Sequence, residues 1–171
     1  MRGLLVGRFQ PFHLGHLAVI RQIQRQRPEE PLILGIGSAG DAYTADNPFT
    51  AAERHEMISR ALAAKNVSGW VAVPIPDIHR HALWVAHVAE LAPPFGRVYT
   101  NNPLTRTLFE RAGFMVEATP MFDRDRFEGT KIRALLREGS AGWRECVPPA
   151  VAEYLTELKA SERLRAVSPA T

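Results

Sequence analysis

Short apolar runs alternate along the chain with longer segments whose apolar residues recur at helical spacing. The apolar, β-rich runs predict five strands, at 2–6, 32–36, 70–75, 97–99 and 114–117. A helical pattern follows each strand, and a last helix is expected from Pro149 to about Glu162. This alternation predicts an α/β fold, a doubly wound parallel sheet with helices on both faces. We expect one domain over residues 1–171, with a core at about 1–138 and a C-terminal helical segment at about 139–165.

Several residues mark where helices begin and which side they bury. Thr50 and Glu53 have the spacing of a capping box, and Asn102 followed by Pro103 predicts an N-cap and a first-turn residue. Apolar side chains at helical spacing predict the buried faces of two helices: Met57, Ile58, Ala61 and Leu62 in one, and Leu83, Trp84, Val88 and Leu91 in the other.

Polar residues cluster directly after each predicted strand. The clusters lie at 7–16, 37–47, 76–81, 100–102 and 122–129. The carboxyl ends of parallel strands meet at one edge of a sheet, and ligands of doubly wound proteins bind there. The sequence therefore predicts an active site on one rim, formed by all five clusters.

Composition narrows the class of protein without identifying a partner. Hydrophobic residues make up 46% of the chain and charged residues 23%, as in ordinary globular proteins, and no apolar run approaches the length of a membrane span. The net charge of +3 suits anionic small molecules, and no dense lysine–arginine cluster indicates nucleic-acid binding. With one cysteine, Cys146, and no signal-peptide pattern, we expect a cytoplasmic location, no internal disulfide and no cysteine-based zinc site.

The strongest chemical signal lies in residues 7–16, where the first strand passes into the first helix. Backbone N–H groups point outward at such a turn, and the helix dipole favours a phosphate there. His13 and His16, three residues apart, can face one anion if His16 begins the helix, and Gly7 and Gly15 leave room for a ligand close to the backbone. Helix capping with solvent exposure is the alternative for the histidines. A metal site is also conceivable, but no third ligand stands at suitable spacing.

Segment 7–16, GRFQPFHLGH, resembles the HxGH signature of the nucleotidyltransferase superfamily. Over all ten residues it resembles the corresponding segment of the archaeal-type nicotinamide-nucleotide adenylyltransferases. Further motifs resemble this family in order and spacing over nearly the whole chain: Asn47-Pro48-Phe49-Thr50, Glu53-Arg54, Pro76-Asp77-Ile78, Ala82-Leu83-Trp84-Val85, Pro93-Pro94-Phe95, and Gly129-Thr130 with Arg133. The resemblance implies a Rossmann-like fold and a reaction in which ATP and nicotinamide mononucleotide (NMN) give NAD and pyrophosphate, with Mg²⁺ accompanying ATP. It also implies a homo-oligomer, commonly a hexamer.

This reaction requires the protein to align the substrates and to neutralise negative charge. The attacking phosphate oxygen is already ionised near neutral pH, because the second pKa of a phosphate monoester is about 6. A general base is therefore unnecessary. Catalysis requires alignment of the two substrates and neutralisation of charge on the α-phosphate and the departing pyrophosphate. Arginines, histidines and helix N–H groups supply both.

The resemblance assigns a role to each candidate residue. It implies catalytic roles at the phosphates for Arg8, His13, His16 and Arg133. It implies ATP contacts for Gly7, Phe9, Gln10, Gly15, Asn101, Asn102 and Thr130. It implies an NMN pocket formed by Ser38, Asp77, Ile78, His81 and Trp84, and it assigns no protein side chain to a metal. From the residues alone, the alternatives are a core position for Trp84, a surface arginine in a first helical turn for Arg133, and a helix N-cap for Asn102.

Six positions depart from the family pattern: Gly40, Ala42, Tyr43, His81, Asn101 and Glu128. Most of them are expected to face the ligands, so a shifted acceptor preference is one hypothesis. A protonated His81 would favour the carboxylate of nicotinate mononucleotide. Two different functions are also open. Adenylyl transfer to another phosphorylated acceptor, such as FMN or phosphopantetheine, is opposed by the motifs at 47–50 and 82–84, and a nucleotide-binding sensor without turnover is opposed by the intact phosphate residues.

Overall fold

The computed structural model describes residues 1–120, 122–123 and 125–167. Its strands lie within one residue of the predicted bounds: β1 (Gly3–Gly7), β2 (Leu32–Gly37), β3 (Trp70–Ile75), β4 (Arg97–Tyr99) and β5 (Met115–Glu117). They form one parallel sheet in the order β3-β2-β1-β4-β5. The strand order reverses on either side of β1, so the predicted doubly wound α/β sheet is confirmed.

Helices connect the strands and complete the C-terminal part. They are α1 (Leu14–Gln26), α2 (Ala51–Ala63), α3 (His81–Leu91), α4 (Pro103–Arg111), α5 (Gly129–Glu138), α6 (Pro149–Glu157) and α7 (Ala160–Val167), with a 3₁₀ turn at Ala141–Cys146. The predicted caps are confirmed: the side chains of Thr50 and Glu53 accept from each other's backbone N–H groups, and Asn102 Oδ1 accepts from the backbone of Thr105. Such caps involve residues within one helical turn, which is why the sequence predicts them.

The sheet buries apolar side chains on both faces. Leu32 and Leu34 face a core cluster that contains residues of α1, α2, α5, α6 and α7. Leu4 and Ile33 face a second cluster with residues of α3 and α4. Successive side chains of a strand point to opposite faces, so each face receives its own row of apolar residues. The prediction of helices on both faces is therefore confirmed.

The C-terminal region departs from the predicted single helix over 149–162. Helix α6 ends at Glu157 and α7 begins at Ala160, because Lys159 between them adopts a left-handed backbone with φ of 51°. Glycine and proline are absent from this break, so the sequence carried no local signal for it. The predicted loop at 122–129 includes Arg124, which lies outside the described residues.

The apolar stripe predicted for α3 is wrong in part. Val88 is buried and Trp84 is partly buried against the same cluster, but Leu83 and Leu91 are 47% and 41% exposed. Leu83 lies about 100° around the helix from Trp84 and projects into solvent, whereas Leu91 is on the same side as Trp84 and Val88 but is the last residue of α3. The four residues predicted for the inner face of α2 are all buried, as expected.

Candidate active site

A continuous groove runs along the carboxyl ends of the strands. A cavity of about 220 Å³ lies between segment 8–16 and the start of α5, and we name it the phosphate cavity after the ligand predicted from the sequence. A central cavity of about 250 Å³ lies above β1, β2 and β4, and an outer cavity of about 320 Å³ lies beside α3 and α4. Arg8 lines the first two, while Asp77, Trp84 and Asn102 line the last two. The rim brings residues of all five predicted polar clusters together.

His13 and His16 form a stacked pair at the entrance to α1. Their ring centroids lie 3.5 Å apart with an interplanar angle of 18°. His13 is the N-cap, and its Nδ1 accepts from the backbone N–H of His16 at 3.3 Å, while His16 Nδ1 accepts from the N–H of His13 at 3.2 Å. The helix therefore begins at Leu14 rather than at His16, and both histidines line the phosphate cavity. Helix capping and a place at the anion site thus coexist in this pair.

This reciprocal cap determines the protonation of both rings. An Nδ1 that accepts a hydrogen bond carries no proton, so each neutral ring bears its proton on Nε2. Burial lowers the pKa of His13 from 6.5 to about 4. Burial and the neighbouring His13 lower the pKa of His16 well below its ordinary value. In the ligand-free protein at neutral pH, the pair therefore offers two N–H donors without positive charge.

The structure places the side chains of Phe9 and Gln10 in the protein interior. Phe9 is 1% exposed, and its ring packs edge-on against His16 with centroids 4.8 Å apart. Gln10 is 3% exposed, and its amide donates to the carbonyl of Phe49 at 2.9 Å and accepts from the Phe49 N–H at 3.0 Å. These two side chains therefore shape the loop, and both residues line the phosphate cavity.

The space beside the two motif glycines is filled by protein. A Cβ on Gly7 would lie 2.9 Å from the ring of Phe9, and a Cβ on Gly15 would lie 3.1 Å from the imidazole of His13 and from Phe127 Cβ. These glycines, predicted to leave room for a ligand, have a second role, and Gly7 also lines the central cavity. They make room for the side chains that build the phosphate cavity, because any larger residue would displace those rings.

Two arginines supply positive charge to the phosphate cavity. Arg8 and Arg133 both line it, together with Thr130 in the first turn of α5. Arg133 is buried and donates to the carbonyl oxygens of Gln10 at 2.9 Å and Ala45 at 3.2 Å. Its Nη2 lies 3.4 Å from Thr130 Oγ1 and 3.4 Å from a carboxylate oxygen of Asp46, which is exposed. Arg133 is therefore a buried cation at the cavity, and the surface position considered from sequence is wrong.

The central and outer cavities collect the residues predicted to bind NMN. Ser38, with φ of 48°, donates from Oγ to Asp77 Oδ2 at 2.6 Å. Ile78 and His81 line the outer cavity, the latter as the first residue of α3. Trp84 packs edge-on against Phe109, with centroids 5.5 Å apart, while lining both cavities. The tryptophan thus belongs to the core on one side and to the groove on the other.

Asn101 and Asn102 differ in what their side chains do. Asn101 Nδ2 donates to the backbone oxygen and the hydroxyl of Thr119, both at 2.8 Å, and its Oδ1 accepts from the Thr119 N–H. Asn102 caps α4 and lines the central and outer cavities. Of the pair predicted to contact ATP, Asn102 reaches the groove, whereas Asn101 has its amide engaged with the segment after β5.

Two arginines, one buried and one partly buried, were assigned no role from the sequence. Arg54, fully buried in α2, donates to the carbonyl oxygens of Arg8, Gly37 and Ser38. A signal for it existed, because position 54 lies on the same helical side as the apolar residues 57, 58 and 61. Arg163 of α7 forms a bidentate pair with Glu53 at 2.7 and 2.9 Å, for which no local pattern exists.

The donor set of the groove suits anions. Within residues 1–120, 122–123 and 125–167, no group of three or more His, Cys, Asp or Glu side chains is arranged to hold a metal ion. Neutral imidazole N–H groups, two guanidinium groups and the first turn of α5 instead converge on one cavity. In the same part of the chain, no helix is long and apolar enough to cross a lipid bilayer.

Comparisons with known proteins agree with this geometry. The cytidylyltransferase-like family model matches residues 4–135. A nicotinamide-nucleotide adenylyltransferase of Methanothrix thermoacetophila is 48% identical over 98% of this chain and 96% of its own length. A nicotinamide-nucleotide adenylyltransferase of Thermoplasma volcanium is 47% identical over 98% of this chain and 92% of its own length. Among solved structures, a bifunctional NMN adenylyltransferase/ADP ribose pyrophosphatase from Francisella tularensis superposes with a TM-score of 0.76 at 20% identity.

The likeness to the Francisella tularensis structure shows that the two proteins share a fold. The superposition covers 96% of this chain, which spans about half (51%) of the bifunctional protein. The same protein has been solved with AMP and a manganese ion. The sequence matches extend over nearly the full length of both the chain and its relatives, at identities that establish common descent. The chain therefore belongs to the cytidylyltransferase-like family and, within it, to the nicotinamide-nucleotide adenylyltransferases.

Proposed function

We propose that this protein transfers the adenylyl group of ATP to NMN, forming NAD and pyrophosphate. An oxygen of the NMN phosphate attacks the α-phosphorus of ATP, a new P–O bond forms, and the bond to the bridging oxygen breaks. Pyrophosphate leaves with the bonding electrons. The observation that carries this proposal is the continuous groove, in which Arg8 lines both the phosphate cavity and the cavity beside Trp84.

The phosphate cavity supplies the two requirements of the transition state. The Nε2–H groups of His13 and His16 donate hydrogen bonds to phosphate oxygens, in positions set by their stacked, mutually capped rings. Arg8 and Arg133 provide the positive charge that developing negative charge requires. The 3.4 Å contacts of Arg133 with Asp46 and Thr130 are long, and a phosphate can replace them.

Mg²⁺ is expected to arrive bound to the phosphates of ATP, as part of the substrate. Its role there is to neutralise charge on the β- and γ-phosphates as pyrophosphate departs. The manganese ion found with AMP in the related structure is consistent with a divalent cation on the nucleotide. A homo-oligomer, hexameric by family resemblance, and a cytoplasmic location stay predictions; light scattering tests the first.

The acceptor side favours a carboxamide over a carboxylate. The side chain of Asp77 lines both the central and the outer cavity and is held there by Ser38. A carboxylate accepts N–H groups of an amide and repels the anion of nicotinate mononucleotide. His81, the residue considered for a preference for the carboxylate, lines the outer cavity and not the central one. We therefore expect NMN to be the preferred acceptor.

Pyrophosphate release from ATP tests the proposal. NMN, nicotinate mononucleotide, FMN and phosphopantetheine are compared as acceptors, and turnover is expected with NMN. Activity restricted to one of the remaining three acceptors would contradict the assignment, and ATP binding without turnover on any of them would favour a sensor.

The catalytic assignment is tested by His13→Ala, which removes one Nε2–H donor. We expect turnover to fall by about 10²-fold or more, as on removal of a transition-state donor elsewhere. His55→Ala is the matched control, because His55 is an exposed histidine of α2 outside the three cavities. Turnover of His13→Ala within a few-fold of wild type would remove His13 from the reaction.

A further inference from the structure

Arg54 is a fully buried arginine whose hydrogen bonds reach two separate loops. Its Nη1 donates to the carbonyl oxygens of Arg8 at 2.9 Å and Gly37 at 2.7 Å, and its Nη2 donates to that of Ser38 at 3.1 Å. A fourth bond, from Nε to Thr50 at 3.2 Å, anchors the side chain to the cap of its own helix. One planar group thus joins the backbone that follows β1 to the backbone at the end of β2.

These two loops carry opposite halves of the proposed site. The side chain of Arg8 lines the phosphate cavity and the central cavity. Ser38 lines the central cavity, where its hydroxyl holds Asp77. Strands β1 and β2 are neighbours, with Gly7 paired to Ile36, so the loops begin side by side. Arg54 therefore sets the separation between the ATP side and the acceptor side of the groove.

Arg54 carries a charge that a purely structural tie does not require. Burial, and to a smaller extent the charge of Arg8, lower the pKa of Arg54 to about 10 against the opposing effect of Asp41 and Asp77. A buried charge bonded to carbonyl oxygens alone costs more free energy than a neutral donor. A neutral side chain can make such a connection in this fold, because the amide of Gln10 joins its own segment to the backbone of Phe49.

The same charge suits a site for anions. The charge of Arg8 lowers the pKa of Arg133 as well, after burial as the larger cause, so the arginines around the phosphate cavity repel one another in the ligand-free protein. Binding of a triphosphate relieves this repulsion. Arg54 reaches the substrates only through the backbone it holds, because its own side chain is fully buried.

We propose that Arg54 is a positioning residue for adenylyl transfer, which holds the loops of Arg8 and Ser38 at the separation that aligns the attacking phosphate with the α-phosphate. This inference rests on the proposed function. Misalignment of reacting groups by about 1 Å can lower a rate by about 10²-fold. Each loop retains its own ligand-binding side chains, so loss of the tie lowers turnover and leaves the binding of each single substrate nearly unchanged.

Arg54→Lys tests this role, because lysine keeps the charge but presents its donors from a single nitrogen that cannot span all four carbonyls. We expect kcat per folded molecule to fall by about 10²-fold, with the Kd of ATP alone and of NMN alone changing by less than about threefold. Arg60→Lys is the matched control on the same helix, since Arg60 pairs with Glu56 and Glu157 away from the groove. The control is expected to retain the kcat of wild type.

The folded fraction is isolated by size exclusion and quantified by circular dichroism, so that a partly unfolded preparation still yields a rate per folded molecule. Arg54→Gln, which keeps two N–H donors without the charge, is measured in the same way. A kcat per folded molecule equal to that of wild type overturns the positioning role, and so does a weaker Kd with kcat unchanged. Wild type that releases no pyrophosphate from ATP and NMN overturns the proposed function and the role of Arg54 with it.

Discussion

Lowering the pH from about 7.5 to about 5 is expected to destabilise the ligand-free protein through the pair of His13 and His16. Each ring caps α1 with an unprotonated Nδ1, so a proton on either ring abolishes a hydrogen bond of the cap. Unfolded histidine binds a proton below its ordinary pKa of 6.5, whereas folded His13 does so only at about 4. Stability is therefore lost as the pH falls from 6.5 towards 4, because the unfolded state binds the proton first.

The size of the effect follows from the two pKa values of His13. At about pH 5 the unfolded side chain is almost fully protonated and the folded one is not, which corresponds to about 1.5 pH units or about 2 kcal/mol of lost stability. The full difference, reached below pH 4, is about 3 kcal/mol. The lowered pKa of His16 acts in the same direction. A loss of this size is a large share of the stability of an ordinary domain.

The matched control replaces the capping box of His13 and His16 by one whose side chains do not titrate. In the double variant His13→Asn/His16→Gln, asparagine remains a good N-cap and glutamine can reach back to the cap N–H, as in a capping box. Urea denaturation of both proteins at the two pH values gives the free energy of unfolding. Wild type is expected to lose about 2 kcal/mol or more beyond the loss of the double variant, because carboxylates contribute equally to both and His16 adds to the effect of His13. Equal losses would refute the neutral, reciprocally capped pair.

Two further substitutions test contacts around the groove. Gly15→Ala brings a Cβ within 3.1 Å of the His13 imidazole, so the stacked pair must shift and turnover is expected to fall by about tenfold or more. Glu53→Gln removes the bidentate partner of Arg163, whose side chain is only 17% exposed, and is expected to lower the free energy of unfolding by about 1.5–3 kcal/mol in urea denaturation.

Each of these substitutions has a control in the same region. Gly40→Ala, the control for Gly15→Ala, places its Cβ where nothing lies within 4 Å, and its turnover is expected to equal that of wild type. Glu56→Gln removes an exposed pair with Arg60 and is expected to cost less than about 1 kcal/mol. If Gly15→Ala retains full turnover, the room beside Gly15 is not needed by the histidine pair. Equal effects of the two glutamine variants would contradict the stronger contribution expected from the partly buried Glu53 pair.

The sequence determined the features that depend on near neighbours along the chain. Short apolar, β-rich runs located the strands within one residue, and the caps at Thr50 and Asn102 form with residues three positions away. The rim of polar clusters followed from parallel strand order, because successive carboxyl ends of such strands meet at one edge. The break at Lys159 was not predictable in this way, because this left-handed position is occupied by lysine rather than by glycine, the residue that usually indicates such a conformation.

Tertiary structure alone decided which partners the buried polar groups have. Gln10 meets the backbone of Phe49 39 residues away, and Arg54 meets that of Arg8 46 residues away. A buried donor must find an acceptor, but the sequence does not state which distant carbonyl packing will bring to it. The same holds for His13: its spacing from His16 indicated an anion site, whereas burial and the reciprocal cap made it a neutral donor.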